Sequence, residues 1–71
     1  MTKLERKAAA LKQAKKIGES LSQKRVENRF KASWVAAEIG ISPSLLCLLE
    51  KGRRLWTDEI KNRYLKAIGE L

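Results

Sequence analysis

Residues that break a helix are few in this chain, and where they fall decides what it can become. The only proline is Pro43, and the other interruptions are Gly40, Ser42 beside that proline, Gly52 and the Glu27-Asn28-Arg29 stretch. Between them stand good helix formers, and no run alternates apolar with polar residues as a half-buried strand would. The expectation is an all-α chain, a compact bundle of four to five helices.

The first helical stretch is expected from about Thr2 to Val26. Leu4, Ala8 and Leu11 share one face, and Ile17 with Leu21 forms another i,i+4 pair. Asn28 is the expected left-handed stop, because asparagine tolerates that conformation better than most residues. A short helix, Ala32 to Ile39, turns Val35, Ala36 and Ile39 inward and ends at Gly40. Ser42 caps the next helix with Pro43 at its first position, where a missing N–H costs nothing. That helix runs from Pro43 to Lys51 and stops at Gly52. Thr57 caps the last, whose stripe is Ile60, Tyr64, Ala67, Ile68 and Leu71, with Asp58 and Glu59 suited to the positive end of its dipole.

Seventy-one residues make one small domain that buries only about 60% of its unfolded surface. With one cysteine, Cys47, and no histidine, neither an internal disulfide nor a histidine-containing zinc set is expected. No cofactor, metal or small-molecule substrate is expected either. Acid–base and nucleophilic catalysis lack a histidine partner, no glycine-rich phosphate loop is present, and the chain does not read as an enzyme. Cys47 reads as an inert small residue.

The charge is more telling. Lys plus Arg number 16 against 8 acidic residues, a formal net charge of +8, in a chain that is 44% hydrophobic. A folded domain with this excess calls for a polyanionic partner, nucleic acid before an anionic membrane. The stretch 1–16 carries Lys3, Arg6, Lys7, Lys12, Lys15 and Lys16 against Glu5 alone and reads as a basic helical arm, leaving 17–71 as the domain proper. Its apolar stripe is too thin, and too poor in aromatics, for membrane binding. It has no separate apolar region of the secretory kind, so a cytoplasmic, nucleoid-associated protein is expected.

A short helix, a glycine turn and a Ser-Pro-capped second helix follow the helix-turn-helix pattern. The run from Val35 to Arg54 resembles the phage repressor and Cro family, also called the xenobiotic-response-element family. Ala36 stands where the two helices must cross closely, and Gly40 is the turn glycine, followed by the apolar Ile41. Leu46 and Leu49 match the buried positions of the recognition helix, and Glu50-Lys51-Gly52-Arg53-Arg54 is similar to the family's closing signature. Leu21, Arg25 and Phe30 match outward positions, and Ile68-Gly69 the close of the last helix. The likeness covers roughly residues 17 to 69.

The resemblance implies a small regulator of transcription, repressor-like, of the kind phages and mobile elements use, bound to double-stranded DNA as a homodimer. Helix 43–51 would enter the major groove. Lys31, Lys51, Arg53, Arg54 and the amides at both helix N-termini would hold phosphates, with Ser42 at the cap. Neutralising about six phosphates would give a slope of log K on log salt near −5. The base-reading positions fall at Pro43, Ser44, Cys47 and Leu48, with Leu45 beside them. None is the Gln, Asn or Arg that pairs bidentately with a purine, so thymine methyls and DNA shape are what this surface can read. Ala32 replaces a polar phosphate clamp of the family.

Two alternatives stay open beside it. Binding to nucleic acid is non-specific, or an apolar Leu45/Leu48 face, with Trp34, takes a protein partner, as an antirepressor or inhibitor of another regulator would. Trp34 reads either as a contact or as a ring lying flat on the first helix; Trp56 reads as packing the Gly52–Thr57 loop onto the core. Leu65, Leu71 and the Leu4–Leu11 stripe are the candidate dimer surfaces.

Overall fold

The computed structural model describes residues 2–71; Met1, counted above with the basic arm, lies outside them. Four helices follow in order, α1 Lys3–Glu27, α2 Ala32–Ile39, α3 Pro43–Glu50 and α4 Asp58–Ala67, with no strand among the described residues. A 25-residue helix is about 37 Å long. That is nearly the whole 39 Å of the long axis, against 20 and 17 Å across. α3 is the helix packed most extensively on α1, α2 packs on both α3 and α4, and residues 3–9 of α1 are exposed. Among the described residues no single helix is long and apolar enough to cross a membrane.

Local chemistry starts and stops each element. Thr2 and Glu5 form a reciprocal capping box, each backbone N–H bonded to the other's side chain at 3.2 Å. Ser42 Oγ accepts from the Leu45 amide at 3.1 Å and Thr57 Oγ1 from the Ile60 amide at 3.2 Å. Both are side-chain caps that satisfy an orphan donor. Gly40 takes φ +87, and the Ile41 amide turns back to the Ala36 carbonyl at 3.0 Å. α2 and α3, eight residues each, are thereby joined by residues 40–42 at an angle of 107°. α3 ends at Glu50 with Lys51 as its cap.

The left-handed stop after α1 falls one residue later than expected. Asn28 keeps φ −84, and Arg29 takes φ +62. Asn28 is drawn elsewhere: its side-chain amide donates to the Ile68 carbonyl and to Glu70 Oε1, each at 3.1 Å. That ties the end of α1 to the end of α4, where helix carbonyls lack partners. The expected stripe of α4 is shortened as well. Gly69 turns at φ +79, and Leu71 stands 73% exposed beyond the helix.

The core is formed by Leu21 of α1, Val35, Ala36 and Ile39 of α2, Leu46 of α3, and Tyr64 with Ile68 at α4. Leu65, expected to be free for a dimer contact, is half-buried against this cluster. Ala36 is wholly buried where α2 meets its neighbours. A close approach of two backbones lies elsewhere, at Gly18. A Cβ there would lie 2.5 Å from the Glu50 carbonyl oxygen and 2.6 Å from that of Leu49, so only glycine lets α1 pass the end of α3.

An ionic network ties three helices beside this crossing. Arg25 Nε donates to Glu50 Oε2 at 2.8 Å and Nη1 to the Phe30 carbonyl at 2.8 Å. The Tyr64 hydroxyl donates to Glu50 Oε2 at 2.5 Å. Burial, with the Glu50 carboxylate next, pushes the Tyr64 hydroxyl well above its ordinary pKa. The hydrogen bond to Glu50 likewise raises Arg25. Trp56 secures the loop after α3, as expected. Its Nε1 donates to the Leu49 carbonyl at 2.9 Å and its ring meets Tyr64 edge-on at 5.4 Å.

Candidate nucleic-acid interface

Alternate burial along α3 separates what holds it from what it presents. Leu46 and Leu49 are buried, while Pro43, Ser44, Cys47 and Leu48 are exposed on the outer face. Cys47 is a free thiol there. Leu45, expected among the outward residues, is instead half-buried. It lines a groove between α1 and the loop after α3, together with Leu11 of α1. Leu48 is therefore the one exposed leucine of α3, with the half-buried Leu45 beside it.

Exposed cations stand at the start of α2 and just past the end of α3. Lys31 stands exposed at the N-cap of α2, and Lys51, Arg53 and Arg54 stand exposed past the end of α3. None of them has an ion-pair partner among the described residues, where the only pairs are Arg25–Glu50 and Arg63–Glu59. The glycine that ends α3 sets the two arginines. Gly52 takes φ +75, its amide bonds the Leu49 carbonyl at 3.1 Å, and the Arg53 amide bonds the Leu48 carbonyl at 2.9 Å. A Cβ on Gly52 would collide with the backbone of Lys15, so the loop is seated directly on α1.

The two helix N-termini are not equivalent. At α3, Pro43 has no N–H and the Leu45 amide is taken by Ser42, leaving little for an anion. At α2, no side chain caps the helix, so its first amides lack the side-chain partner that α3 has. Ser42 acts as a cap, with its oxygen already engaged.

Trp34 lies beside that end of α2. Its ring stacks on Phe30, centroids 5.0 Å apart and 17° from parallel, and remains 44% exposed. It rests on the loop residue before α2 and not on α1, and it edges a hollow with Glu38, Arg63, Lys66 and Ala67.

The groove that receives Leu45 adds residues that a residue-by-residue reading leaves apart. It encloses about 550 Å³ with Lys7, Arg53 and Arg54 around it. Leu11, Leu49, Leu55 and Ile60 complete its apolar lining. The one signal in the sequence that leads to Lys7 is a seam. Lys7, Leu11, Ala14, Gly18, Leu21 and Arg25 follow spacings of four and three, and its later members face the core. No cluster of three or more His, Cys, Asp or Glu side chains among the described residues is placed to hold a metal ion. Compared with protein-family models, with curated proteins and with solved structures, the chain has no significant match.

Proposed function

We propose that the chain is a small DNA-binding regulator of transcription that works as a helix-turn-helix, with α3 in the major groove. One observation carries this reading. The α2–α3 pair, bent at 107° over a three-residue glycine turn, exposes the outer face of α3, and the cations that directly follow that helix, Lys51, Arg53 and Arg54, have no ion-pair partners among the described residues. An angle in the range of about 90–120° and a short turn are what let the second helix of such a motif enter a groove while the first crosses the backbone. Lys31 with the uncapped amides of α2 would hold phosphates on one flank, and Lys51, Arg53 and Arg54 on the other.

Base recognition would fall to Ser44, Cys47 and Leu48, a surface suited to thymine methyls more than to bidentate pairing with purines. Sequence preference would then draw also on DNA shape. A twofold dimer on half-sites about 34 Å apart fits this class of regulator. Leu71 is the exposed leucine available near α4 for such a contact. In this role the protein would act on the nucleoid, in the cytoplasm, as a repressor of the kind mobile elements carry.

The test is selection from a random duplex pool at near-physiological salt. Enrichment of a two-part, thymine-rich palindrome is the expected result. Retention without enrichment would replace the operator-binding reading with non-specific binding. No retention at all would overturn the nucleic-acid reading and leave Leu48 and Trp34 as the surface to test against protein partners.

A further inference from the structure

The face of α1 that buries Ala14, Gly18 and Leu21 against the domain continues toward the N-terminus through the half-buried Leu11 to the exposed Lys7, and both line the groove beside α3. Lys15 is seated against the backbone of Gly52, so the residues that follow, Arg53 and Arg54, emerge beside the part of the helix that bears Lys7. Three cations from opposite ends of the chain thus line one groove, no carboxylate lines it, and none of the three has an ion-pair partner among the described residues.

We infer that Lys7, Arg53 and Arg54 form one phosphate-binding site for the DNA backbone, and that α1 is a rigid part of the interface, not a loose basic arm. The inference rests on the DNA-binding reading above and adds to it a contact outside the α2–α3 pair. Like charges gathered around one groove repel one another, and an anion seated between them relieves that repulsion. The wall of the groove is α3 itself, through Leu45 and Leu49, so the site borders the face that Ser44, Cys47 and Leu48 present. A duplex whose major groove receives α3 carries its phosphates along the edges of that groove, roughly 12 Å wide. A strand passing the end of α3 meets Arg53, Arg54 and then Lys7. An acidic peptide would match the charge but has no claim on the face of α3 beside it.

The geometry also distinguishes among the basic residues of α1. Lys12 and Lys16 lie with Ala9 and Gln13 on another face of the helix, away from the groove. Lys7 and Lys12 are both exposed, so replacing either by glutamine leaves the fold intact and changes the formal charge equally.

The experiment is equilibrium binding of the full chain to a fluorescent random-sequence duplex across a salt series, for the wild type, Lys7→Gln, Lys12→Gln and Arg53→Gln. Lys7→Gln and Arg53→Gln are each expected to lower the slope of log K on log salt by about 0.9. Between 50 and 200 mM salt that makes the loss of affinity roughly 3.5-fold smaller than in the wild type. Lys12→Gln is expected to leave the slope near the wild-type value. Equal slopes for Lys7→Gln and Lys12→Gln, with Arg53→Gln still lowered, would overturn the groove and leave the DNA-binding reading standing. Wild-type protein that binds no duplex would overturn both. Lys7-dependent binding of polyaspartate without binding of DNA would hand the groove to an acidic protein partner instead.

Discussion

Arg25 on α1 and Glu50 at the end of α3 form a largely buried ion pair, Nε to Oε2 at 2.8 Å, and the Tyr64 hydroxyl of α4 donates to the same carboxylate oxygen. The glutamate that opens the Glu-Lys-Gly-Arg-Arg run therefore faces inward. Its function is to hold α1, α3 and α4 at the point where the arginines after it leave the core. Both side chains are mostly out of water, 15% and 12% exposed, so each depends on the other to offset desolvation. Glu50→Gln and Arg25→Met are each expected to destabilise the fold by about 3 kcal/mol in urea titrations. The double variant Arg25→Met/Glu50→Leu should lose less than the sum of the two, because no lone charge is left buried.

The Tyr64 hydroxyl adds a pH dependence at the alkaline end. Its pKa is raised in the fold from an ordinary value of 10.0, by burial first and then by the Glu50 carboxylate. Above pH 10 the folded protein thus holds a proton that the unfolded chain has lost. Its contribution to stability is complete below that pH and declines as the pH climbs toward the raised value. Denaturation midpoints measured from pH 8 to 11.5 should fall more steeply for the wild type than for Tyr64→Phe.

Gly18 gives a test in which two effects have opposite signs. Alanine in a helix interior is favoured over glycine by about 1 kcal/mol. At this site the added methyl would lie 2.5 Å from the Glu50 carbonyl oxygen. Forcing backbones apart in a packed interior costs about 1–3 kcal/mol. Gly18→Ala is expected to be destabilised by thermal melting. A stabilised variant would mean that α1 and α3 do not cross this closely.

Arg29 holds a left-handed conformation, φ +62, without being glycine. Relief of that strain by Arg29→Gly is worth about 1 kcal/mol, less the entropy glycine loses on folding. The variant should melt no lower than the wild type, and as the arginine is exposed its side chain contributes little to the fold.

Leu46 and Leu48 stand on the buried and the exposed sides of one helix. Leu46 is fully buried, and Leu46→Ala should cost about 2–5 kcal/mol, enough to unfold a domain this small. Leu48 is 37% exposed, and Leu48→Ala should change stability by less than about 1 kcal/mol. Selection from a random duplex pool should then return a different sequence preference for Leu48→Ala, with circular dichroism unchanged.

Much of the fold is legible in the sequence because its signals act within a turn of helix. Thr2, Ser42 and Thr57 cap because a side-chain oxygen reaches an amide three residues on. Gly40 and Gly52 stop helices because they alone take a left-handed backbone without cost. Burial of Val35, Ala36, Ile39, Leu46 and Leu49 follows from helical spacing. These features are properties of the local chain, and the amino-acid order by itself determined them.

What the tertiary structure decided are the pairings between residues far apart in the chain. Asn28 keeps an ordinary backbone because its amide is claimed by the end of α4. Leu45 shares the lining of a groove with Leu11 of α1, 34 positions earlier in the chain. Glu50 becomes an internal anchor because Arg25 reaches it, and Lys7 becomes a neighbour of Arg53 and Arg54 because Lys15 is seated on Gly52. Nothing in the spacing of any one segment specifies these contacts. They depend on the angle at which rigid helices cross, and that angle is set by packing over the whole core.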